Sequence, residues 1–397
     1  MKFSEFNLSE RLQDILVSMN YKTATQIQEE SIPLIMEGRD ILASSQTGTG
    51  KTGAFLIPFI SMVEQHKNKG VLVTTPTREL AKQVYTVANQ MMGTSNRKSI
   101  CSLLIGGEDI NRQIRQLRKR PKIIIGTPGR INDHLTRKTL NLKHTHYLVL
   151  DETDRMLDMG FGIQIDKILK FLPEQRQTVL FSATLPKSII KLSGKYLKNP
   201  ARIAIGNTNS IVDKIKQNII HTERKFEVLI EEIEKTLGSI LVFVRTQRNA
   251  EDIKARLVNR NYITDALHGG LRQNRRVRIM SAFRGKRCNI LVATDVASRG
   301  LDISHIEHVI NYDMPDNPED YIHRVGRTAR AGKEGIATSL VSKADKYKLH
   351  AVERFLEGDE EGMNKQKSRS LSGKSSFSKK RKSSQHQTWR KRKQKKF

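Results

Sequence analysis

The sequence predicts an α/β protein built from two parallel-sheet domains in tandem, with a cleft between them. Short, continuously apolar segments alternate with helical patterns along residues 40–205, and the alternation begins again near residue 215. Parallel strands that are covered by helices on both faces have such continuously apolar sequences. A small polar stretch, 206–210, separates the halves, and only the first half has a glycine-rich loop between a strand and a helix, at 45–52. This asymmetry predicts a site in the cleft.

The strand segments of each half can be located from their composition. In the first half the predicted strands are 41–43, 71–75, 102–105, 122–126, 147–150, 179–182 and 202–205. In the second half they are 217–222, 239–244, 263–267, 289–293, 308–312 and 336–341. Ahead of the first strand, residues 1–36 predict helices whose apolar face packs on the domain; that face comprises Leu8, Leu12, Ile15, Leu16 and Met19.

The charge of the chain indicates a polyanionic partner. Lys and Arg number 70 against 41 Asp and Glu in 397 residues, a net charge of +29. Residues 362–397 contribute 14 Lys and Arg and no acid, so the remainder carries 56 − 41 = +15 and is basic as well. Nucleic acid is the first candidate for the partner and an acidic membrane the second.

The loop at 45–52 has the composition of a phosphate-binding site. Backbone N–H groups at a helix start point towards an anion, and the helix dipole adds partial positive charge there. Gly48 and Gly50 let the backbone approach a phosphate, and Lys51 can reach the β- and γ-phosphates. The Thr52 hydroxyl can ligate Mg²⁺. Ser45 stands where the strict pattern has glycine, and a plain strand-to-helix turn is the alternative explanation.

Acidic residues follow the strand segment 147–150 directly. Carboxylates at the C-terminal tip of a parallel strand lie at the ligand-binding edge of the sheet. Asp151 is therefore placed to hold Mg²⁺, and Glu152 to orient or deprotonate an attacking water. The alternative is that Thr153 or Asp154 is simply a helix N-cap.

Two further features bear on compartment. Cys101 and Cys288 lie in separate apolar, strand-like runs, which predicts small buried residues in a reducing environment. The N-terminus lacks the apolar core of a signal peptide, and no run approaches the length of a membrane span. We therefore expect a soluble, cytoplasmic protein.

The order of these motifs resembles the DEAD-box family of ATP-dependent RNA helicases over about residues 1–355. Motifs I, II and III of the family match 45–52, 151–154 and 182–184, and motifs IV, V and VI match 242–246, 293–303 and 323–330. The RNA-binding motifs of the family's first domain match 76–81, 106–107 and 127–130. The short N-terminus and compact core look most like the RhlE-type branch. The resemblance implies two RecA-like domains that use ATP and Mg²⁺ and bind RNA.

The resemblance implies roles for individual residues. Catalytic roles are expected for Lys51, Asp151, Glu152, Arg327 and Arg330. Nucleotide binding is expected for Phe3, Gln28, Ser45, Gln46, Thr47, Gly48, Thr49, Gly50, Lys51, Thr52 and Asp295, with Thr52 and Asp151 as metal ligands. RNA binding is expected for Pro76, Thr77, Arg78, Gly106, Gly107, Thr127, Pro128, Gly129, Arg130, Arg245, Thr246, Thr294, Arg299 and Gly300. Coupling of the two sites is expected for Ser182, Thr184, Asp154, His323 and Asp302, with Ser182 and Thr184 bonded to Asp154 and His323.

Several of these segments also have plain structural explanations. Gln28, whose carboxamide can read the edge of adenine, can be an ordinary surface residue. The segment 127–130 can be a helix start with a proline in its first turn, and 78–79 a surface ion pair. The arginines at every third position of 324–330 share one face of a predicted helix, which is either solvated or meets the phosphate loop with arginine fingers.

Four positions depart from the residues usual in the family. Thr153 replaces an alanine, and its side chain is not expected to touch phosphate. Ser45 replaces a small alanine or glycine, and Ala329 and Asn20 each replace a glycine. We expect ATPase activity to be retained.

The expected domain division follows from these matches. It comprises N-terminal helices with the Gln motif at 1–36, an ATP-binding domain at 37–206, a linker at 207–214, a C-terminal helicase domain at 215–357 and a disordered basic tail at 358–397. The tail, with its single Trp389, is expected to tether RNA; a solubility tail is the alternative.

The expected function is RNA-stimulated ATP hydrolysis with local, sequence-independent unwinding of short duplexes or remodelling of RNA–protein particles. Ribosomal particles and the RNA-decay machinery are candidate partners. An ATP-gated RNA clamp and a DNA-directed translocase remain as alternative functions.

Overall fold

The computed structural model describes residues 1–45, 48–66, 68–93, 101–185, 187–205, 215–295, 305–329 and 335–357. These residues form two α/β lobes: the first lobe lies within 1–205 and the second lobe within 215–357. The predicted linker 207–214 and tail 358–397 lie outside the described residues.

The first lobe contains a seven-stranded parallel sheet in the order β3-β4-β2-β5-β6-β1-β7. Its strands are β1 Ile41–Ser45, β2 Gly70–Thr74, β3 Cys101–Leu104, β4 Ile123–Gly126, β5 Thr145–Leu150, β6 Gln177–Ser182 and β7 Ala201–Ile205. Its helices are α1 Glu10–Ser18, α2 Gln26–Met36, α3 Lys51–Gln65, α4 Arg78–Met92, α5 Ile110–Leu117, α6 Pro128–Thr136, α7 Thr153–Asp158, α8 Gly162–Leu169 and α9 Lys187–Tyr196.

The second lobe contains a six-stranded parallel sheet in the order β10-β11-β9-β12-β13-β8. Its strands are β8 Ile215–His221, β9 Ser239–Phe243, β10 Thr264–Leu267, β11 Ile290–Ala293, β12 Ile306–Asn311 and β13 Gly335–Val341. Its described helices are α10 Lys225–Glu234, α11 Gln247–Val258, α12 Gln273–Arg284, α13 Pro318–Val325 and α14 Lys346–Glu357.

The predicted fold class is confirmed. Each predicted strand is present, with ends that differ by at most two residues. The predicted helices ahead of the first strand are also present, and Leu12 and Leu16 of their apolar face are fully buried in the first lobe's core. Both faces of each sheet are covered, because each lobe has two apolar clusters on opposite sides of its strands. This two-sided burial explains why the strands are continuously apolar.

Cys101 and Cys288 are free, buried thiols, and burial raises the pKa of both; that of Cys101 is raised to about 12. Burial therefore disfavours the reactive thiolate form of both cysteines. Among the described residues, we find no helix with the length and apolar character needed to cross a bilayer.

Candidate nucleotide and RNA site

The strand order of the first lobe brings the sequence motifs together. The strands β4, β2, β5, β6 and β1 are consecutive neighbours in the sheet, and all are parallel. Motif residues follow the carboxyl end of each of these five strands. One edge of the sheet therefore carries them all, as expected for ligand sites of open parallel sheets.

The phosphate loop leads from β1 into α3, as predicted. Gly48 and Gly50 have φ angles of 90° and 97°, which a side chain disfavours. Lys51 is buried, and its Nζ donates to the Ser45 carbonyl at 2.7 Å. The Ser45 hydroxyl lies 3.1 Å from the Thr49 hydroxyl, so the serine that departs from the family pattern forms a hydrogen bond within the loop. Gln46 and Thr47 lie outside the described residues.

Gln28 is buried against the phosphate loop, so the alternative of a surface residue is wrong. Its Nε2 donates to the Gly50 carbonyl at 3.0 Å, and its Oε1 accepts from the Thr25 N–H at 3.0 Å. Phe3 packs edge-on against Tyr21, with ring centroids 5.7 Å apart. This contact with Tyr21 was not predicted from the sequence.

Asn20 and Ala329, which replace glycines of the family pattern, both have left-handed backbone conformations. Their φ angles are 63° and 54°. Glycine suits such a position because it lacks a Cβ, and asparagine tolerates it better than alanine does. The substitution at Asn20 is therefore mild, and that at Ala329 leaves local strain.

The carboxylates after β5 lie deep in the first lobe. Asp151 is 3% exposed and its Oδ1 has no hydrogen-bond partner among the described residues. Burial, together with the neighbouring Glu152 charge, raises the pKa of Asp151, although Lys51 opposes the effect. Burial also acts to raise the pKa of Glu152, but the cations Arg155, Lys51 and Arg327 outweigh it and hold that pKa below its usual range.

The backbone at Glu152 is also unusual. Glu152 is the N-cap of α7 and has a left-handed conformation, with φ 49° and ψ 54°. The expected caps, Thr153 and Asp154, are instead the first two residues of the helix. Left-handed non-glycine residues concentrate at functional sites, where surrounding contacts hold them in place.

Asp154 links motifs II and III. Its Oδ2 accepts from the N–H groups of Ala183 and Thr184 at 2.9 and 3.0 Å and from the Thr184 hydroxyl at 3.2 Å. The expected bond from Ser182, the last residue of β6, is not formed: its hydroxyl is buried without a partner among the described residues. The backbone of Ala183 takes that place.

Motif VI differs from the single arginine-bearing helix that the sequence predicts. The helix α13 ends at Val325, so Arg324 and Arg327 do not share one helix face. Arg324 is 2% exposed and binds both carboxylate oxygens of Asp295, at 2.6 and 2.7 Å. Asp295, expected to bind nucleotide, is therefore held by an arginine within its own lobe.

Arg327 lies beyond the helix and is buried, with its Nε bonded to the His323 carbonyl at 3.0 Å. Its charge acts on Glu152 of the other lobe. The alternative of a solvated basic face is thus wrong for Arg324 and Arg327. The remaining members of motifs V and VI that were assigned roles, Arg299, Gly300, Asp302 and Arg330, lie outside the described residues.

A cavity of about 480 Å³ lies between the lobes at the predicted RNA motifs. From the first lobe it is lined by predicted residues, namely Pro76, Thr77, Arg78, Gly106, Thr127, Gly129 and Arg130. From the second lobe it is lined by residues that sequence reasoning missed, among them Gly269, Leu271, Gln273 and Arg276. The dense run of arginines in 272–278 was a usable signal for this second wall.

Gly106 and Gly107 have no side chains, and this leaves space for the Arg78 guanidinium in the cavity. A Cβ on Gly107 would lie 2.5 Å from Arg78 Nη1, and one on Gly106 would lie 3.1 Å from Nη2. Pro128 occupies the first turn of α6, so the segment 127–130 does start a helix, and it also lines the cavity.

Side chains on the two walls of the cavity are bonded to each other. Arg78 Nη1 donates to Gln273 Oε1 at 3.3 Å, and the Glu79 carboxylate accepts from Arg276 at 3.0 Å. The alternative of a surface ion pair at 78–79 is therefore wrong, since both side chains reach the other lobe. Arg245, Thr246 and Thr294 are not among the residues that line this cavity; Arg245 and Thr246 are exposed at the end of β9.

Family models match both lobes of the chain. The DEAD/DEAH box helicase model matches residues 25–192, and the helicase conserved C-terminal domain model matches residues 224–332. The ATP-dependent RNA helicase CshA of Listeria monocytogenes is 44% identical over 89% of this chain and 68% of its own length. The DEAD-box ATP-dependent RNA helicase CshA of Geobacillus kaustophilus is 42% identical over 89% of this chain and 76% of its own length.

A solved structure shares the fold and the arrangement of the lobes. The structure of S. cerevisiae Dbp5 bound to RNA and ADP BeF3 has 34% sequence identity and a TM-score of 0.81, covering 89% of this chain and 93% of that one. The curated relatives carry the name CshA, so the RhlE-type branch is not confirmed. The chain belongs to the DEAD-box family of ATP-dependent RNA helicases.

Proposed function

We propose that ATP and RNA together close the two lobes, that this closure separates short RNA duplexes locally and stimulates ATP hydrolysis, and that hydrolysis then reopens the cleft. The observation that carries the proposal is the arrangement of the cleft. The charge of Arg327 in the second lobe helps to lower the pKa of Glu152 in the first lobe. Glu79 and Arg276 are bonded across the RNA cavity. Nucleotide and RNA sites are thus both built from the two lobes together.

The phosphate loop, the start of α3 and Gln28 bind the nucleotide in this proposal. Lys51 exchanges its bond to the Ser45 carbonyl for the β- and γ-phosphates, and N–H groups at the start of α3 face the same anion. Gln28 binds the adenine edge while it keeps the Gly50 carbonyl in place.

We propose that Asp151 and Thr52 hold Mg²⁺. The support is the Oδ1 of Asp151, which is buried without a partner, and the raised pKa that burial and Glu152 give this carboxyl group. One carboxylate, one hydroxyl and the phosphates suit Mg²⁺, which seldom uses an all-protein cage. When bound, the ion supplies neutralisation of the charge on the phosphates.

The chemical step falls to residues of both lobes. Glu152, kept ionised by its cationic neighbours, orients or deprotonates the attacking water. Arg327 stabilises negative charge on the transferred phosphoryl group as an arginine finger, with Arg330 in the same role. Asp154 and Thr184 transmit the state of the site through β6.

RNA is proposed to lie in the cavity between the lobes, gripped through phosphate and sugar. Such contacts carry no base code, so binding is sequence-independent. Closure favours the strand geometry that fits both walls, and the differential affinity of the closed and open states supplies the driving force for unwinding.

The domain division 1–36, 37–206, 207–214, 215–357 and 358–397 is part of the proposal. It is supported by the two separate sheets and by the extents of the two family-model matches. A cytoplasmic location is proposed on the buried, free thiols of Cys101 and Cys288. Ribosomal particles or RNA-decay machinery are the proposed settings, with the basic tail as an auxiliary RNA tether.

The test compares Glu152→Gln with the parent chain. We expect RNA to stimulate ATP hydrolysis by the parent chain, and a labelled short duplex to separate faster than the protein dissociates from it. The variant should lose about two to three orders of magnitude in kcat, since it loses its base. It should retain ATP-dependent RNA binding. Glu353→Gln, an exposed carboxylate on α14, is the matched control.

Other outcomes of this test identify the alternatives. Dissociation that precedes strand separation would establish an RNA clamp, and equal stimulation by DNA and RNA would establish a DNA-directed translocase. A Glu152→Gln variant that turns over ATP at the parent rate would remove the base assignment. Deletion of 362–397 that leaves the salt dependence of RNA binding unchanged would remove the tether.

A further inference from the structure

Arg155, three residues after Glu152, is with Arg324 one of the two largest fully buried side chains among the described residues, and its only role so far is the effect of its charge on Glu152. It lies on α7 in the first lobe and is 1% exposed. An arginine keeps its charge when buried, so it must be paired to be tolerated. Its partners therefore indicate why it is there.

The first partner is the proposed catalytic carboxylate. Arg155 Nη1 donates to Glu152 Oε2 at 2.9 Å. Both side chains are buried, at 1% and 6% exposure. Because Glu152 stands before the helix in a left-handed conformation, this bond fixes the direction of a carboxylate that the helix itself does not hold.

The second partner belongs to the other lobe. Arg155 Nε donates to His323 Nδ1 at 3.2 Å, and His323 lies on α13. A guanidinium is planar and rigid, so its Nε and Nη1 cannot be oriented independently. The direction of the Glu152 carboxylate is therefore linked to the position of α13.

The third guanidinium nitrogen makes the link more sensitive to closure. Arg155 Nη2 is buried and has no hydrogen-bond partner among the described residues. If the lobes separate and the bond to His323 is lost, the bond to Glu152 is the one side-chain hydrogen bond within the described part of the chain that still orients the guanidinium.

We propose that Arg155 is a positioning residue that aligns the Glu152 carboxylate only when α13 of the second lobe has closed onto the first. Arg155 need not touch nucleotide or RNA in this role. RNA binding, by stabilising closure, thereby raises the rate of the chemical step. The inference rests on the proposed function, since it concerns the same carboxylate.

The experiment measures ATP hydrolysis without RNA, the RNA-saturated kcat and KM, and closure. Closure is followed by energy transfer between dyes on Thr136→Cys and Val258→Cys, which are exposed positions on α6 and α11. The added ligands are a non-hydrolysable ATP analogue and single-stranded oligouridylate. Arg155→Met removes both bonds while keeping the bulk, and Arg155→Lys keeps the charge but cannot reproduce the rigid fork.

We expect Arg155→Met to reduce the RNA stimulation of kcat about tenfold, with ATP hydrolysis in the absence of RNA much less affected. Arg155→Lys should retain only part of the stimulation. The control Lys195→Met, which removes an exposed pair with Asp166 on the same lobe, should behave as the parent chain does. A His323→Ala change should add little to Arg155→Met if the two side chains act through one contact.

A purely structural arginine gives a different result. If Arg155→Met lowers the rates with and without RNA in the same ratio and leaves closure intact, the inference is overturned. If Arg155→Met loses its thermal unfolding transition and so does not fold, the rates of ATP hydrolysis with and without RNA are compared for Arg155→Lys instead. An equal reduction of both rates in Arg155→Lys would then overturn the inference. A parent chain without RNA-stimulated hydrolysis would overturn the proposed function itself, and with it this inference.

Discussion

The two lobes treat their buried polar groups differently. At the sheet edge of the first lobe, Asp151 has an oxygen without a partner among the described residues and a raised pKa. In the second lobe, Arg324 makes four hydrogen bonds, to Asp295, Asn311 and the Asp313 carbonyl. The first lobe is thus incomplete where a charged ligand is proposed to bind, while the Arg324 network of the second lobe is complete within that lobe.

The two lobes have similar sheets, but their buried polar groups serve different purposes: ligand binding in the first lobe and stability in the second. A buried polar group without a partner is costly, and such groups are retained mainly at functional sites. The second lobe's internal network instead supports its stability. Substitutions in the first lobe's edge, and at Arg327, should therefore act on rate, whereas substitutions in the second lobe's buried network should act on folding.

The strongest test of this comparison is Arg327→Ala. Loss of an arginine finger should lower the RNA-saturated kcat by about three orders of magnitude, because the transition-state charge is left uncompensated. Steady-state ATPase assays measure the effect, and ATP affinity should change far less. The control Arg260→Ala removes an exposed arginine between α11 and β10, the edge strand of the second lobe's sheet. A variant that hydrolyses ATP within a few-fold of the parent would show that the second lobe does not supply this cation.

His308 tests the stability side of the comparison. Burial, with a smaller contribution from Lys235, outweighs Glu232 and lowers the pKa of His308 to about 4. Its ring nitrogens lie 2.8 and 2.9 Å from the hydroxyls of Thr236 and Thr338. The unfolded chain binds a proton near pH 6.5 and the folded one near pH 4, so the stabilisation is present above 6.5 and lost as pH falls towards 4.

We expect this site to make the unfolding free energy fall by about 3 kcal/mol between pH 7 and pH 4. Chemical denaturation followed by circular dichroism at several pH values measures it. His308→Gln should flatten the pH dependence without changing kcat at pH 7, whereas the exposed-histidine control His350→Gln should preserve it. An unchanged slope in His308→Gln would show that the second lobe's network does not govern its acid stability.

The contacts across the RNA cavity should have a smaller effect. Glu79→Gln or Arg276→Met should reduce the cooperativity between RNA and a non-hydrolysable ATP analogue about tenfold, because closure loses an ion pair. RNA affinities measured with and without the analogue give the coupling, and the double variant should resemble either single one. The control pair Lys254 and Asp265 lies wholly within the second lobe. Additive effects of Glu79→Gln and Arg276→Met would contradict the cross-lobe bond.

Ala329→Gly should have the smallest effect, a gain of about 1 kcal/mol in stability. The left-handed backbone at this position disfavours a Cβ, and glycine removes that strain. A thermal melt should show a higher midpoint. The control Ala255→Gly, in the middle of α11, should lower stability by a similar amount. A lower midpoint for Ala329→Gly would show that the strain is relieved in another way.

Local pattern was sufficient for much of this molecule. The apolar strands, the glycines of the phosphate loop and the carboxylates after β5 were all predictable, because strand ends and helix starts depend on residues that are close in sequence. Parallel pairing then places the carboxyl ends of neighbouring strands at one edge, whatever the details of packing.

Contacts between distant segments were not predictable in this way. The end of α13 at Val325, the capture of Arg324 by Asp295 and the cross-lobe bond from Arg155 to His323 each join residues whose proximity no local periodicity encodes. The same holds for Gln273 and Arg276, which look like an ordinary basic helix until Glu79 lies opposite them.

By itself, the sequence determined the two α/β lobes, the phosphate loop and the family to which the chain belongs. Only the tertiary structure decided that the charge of Arg327 acts on Glu152 across the cleft while Arg324 is held within its own lobe. The physical reason is that a buried charge is positioned by its partners, and those partners come from strands and helices far apart in the chain. The distance between Glu152 and Arg327 in sequence says nothing of their interaction across the cleft.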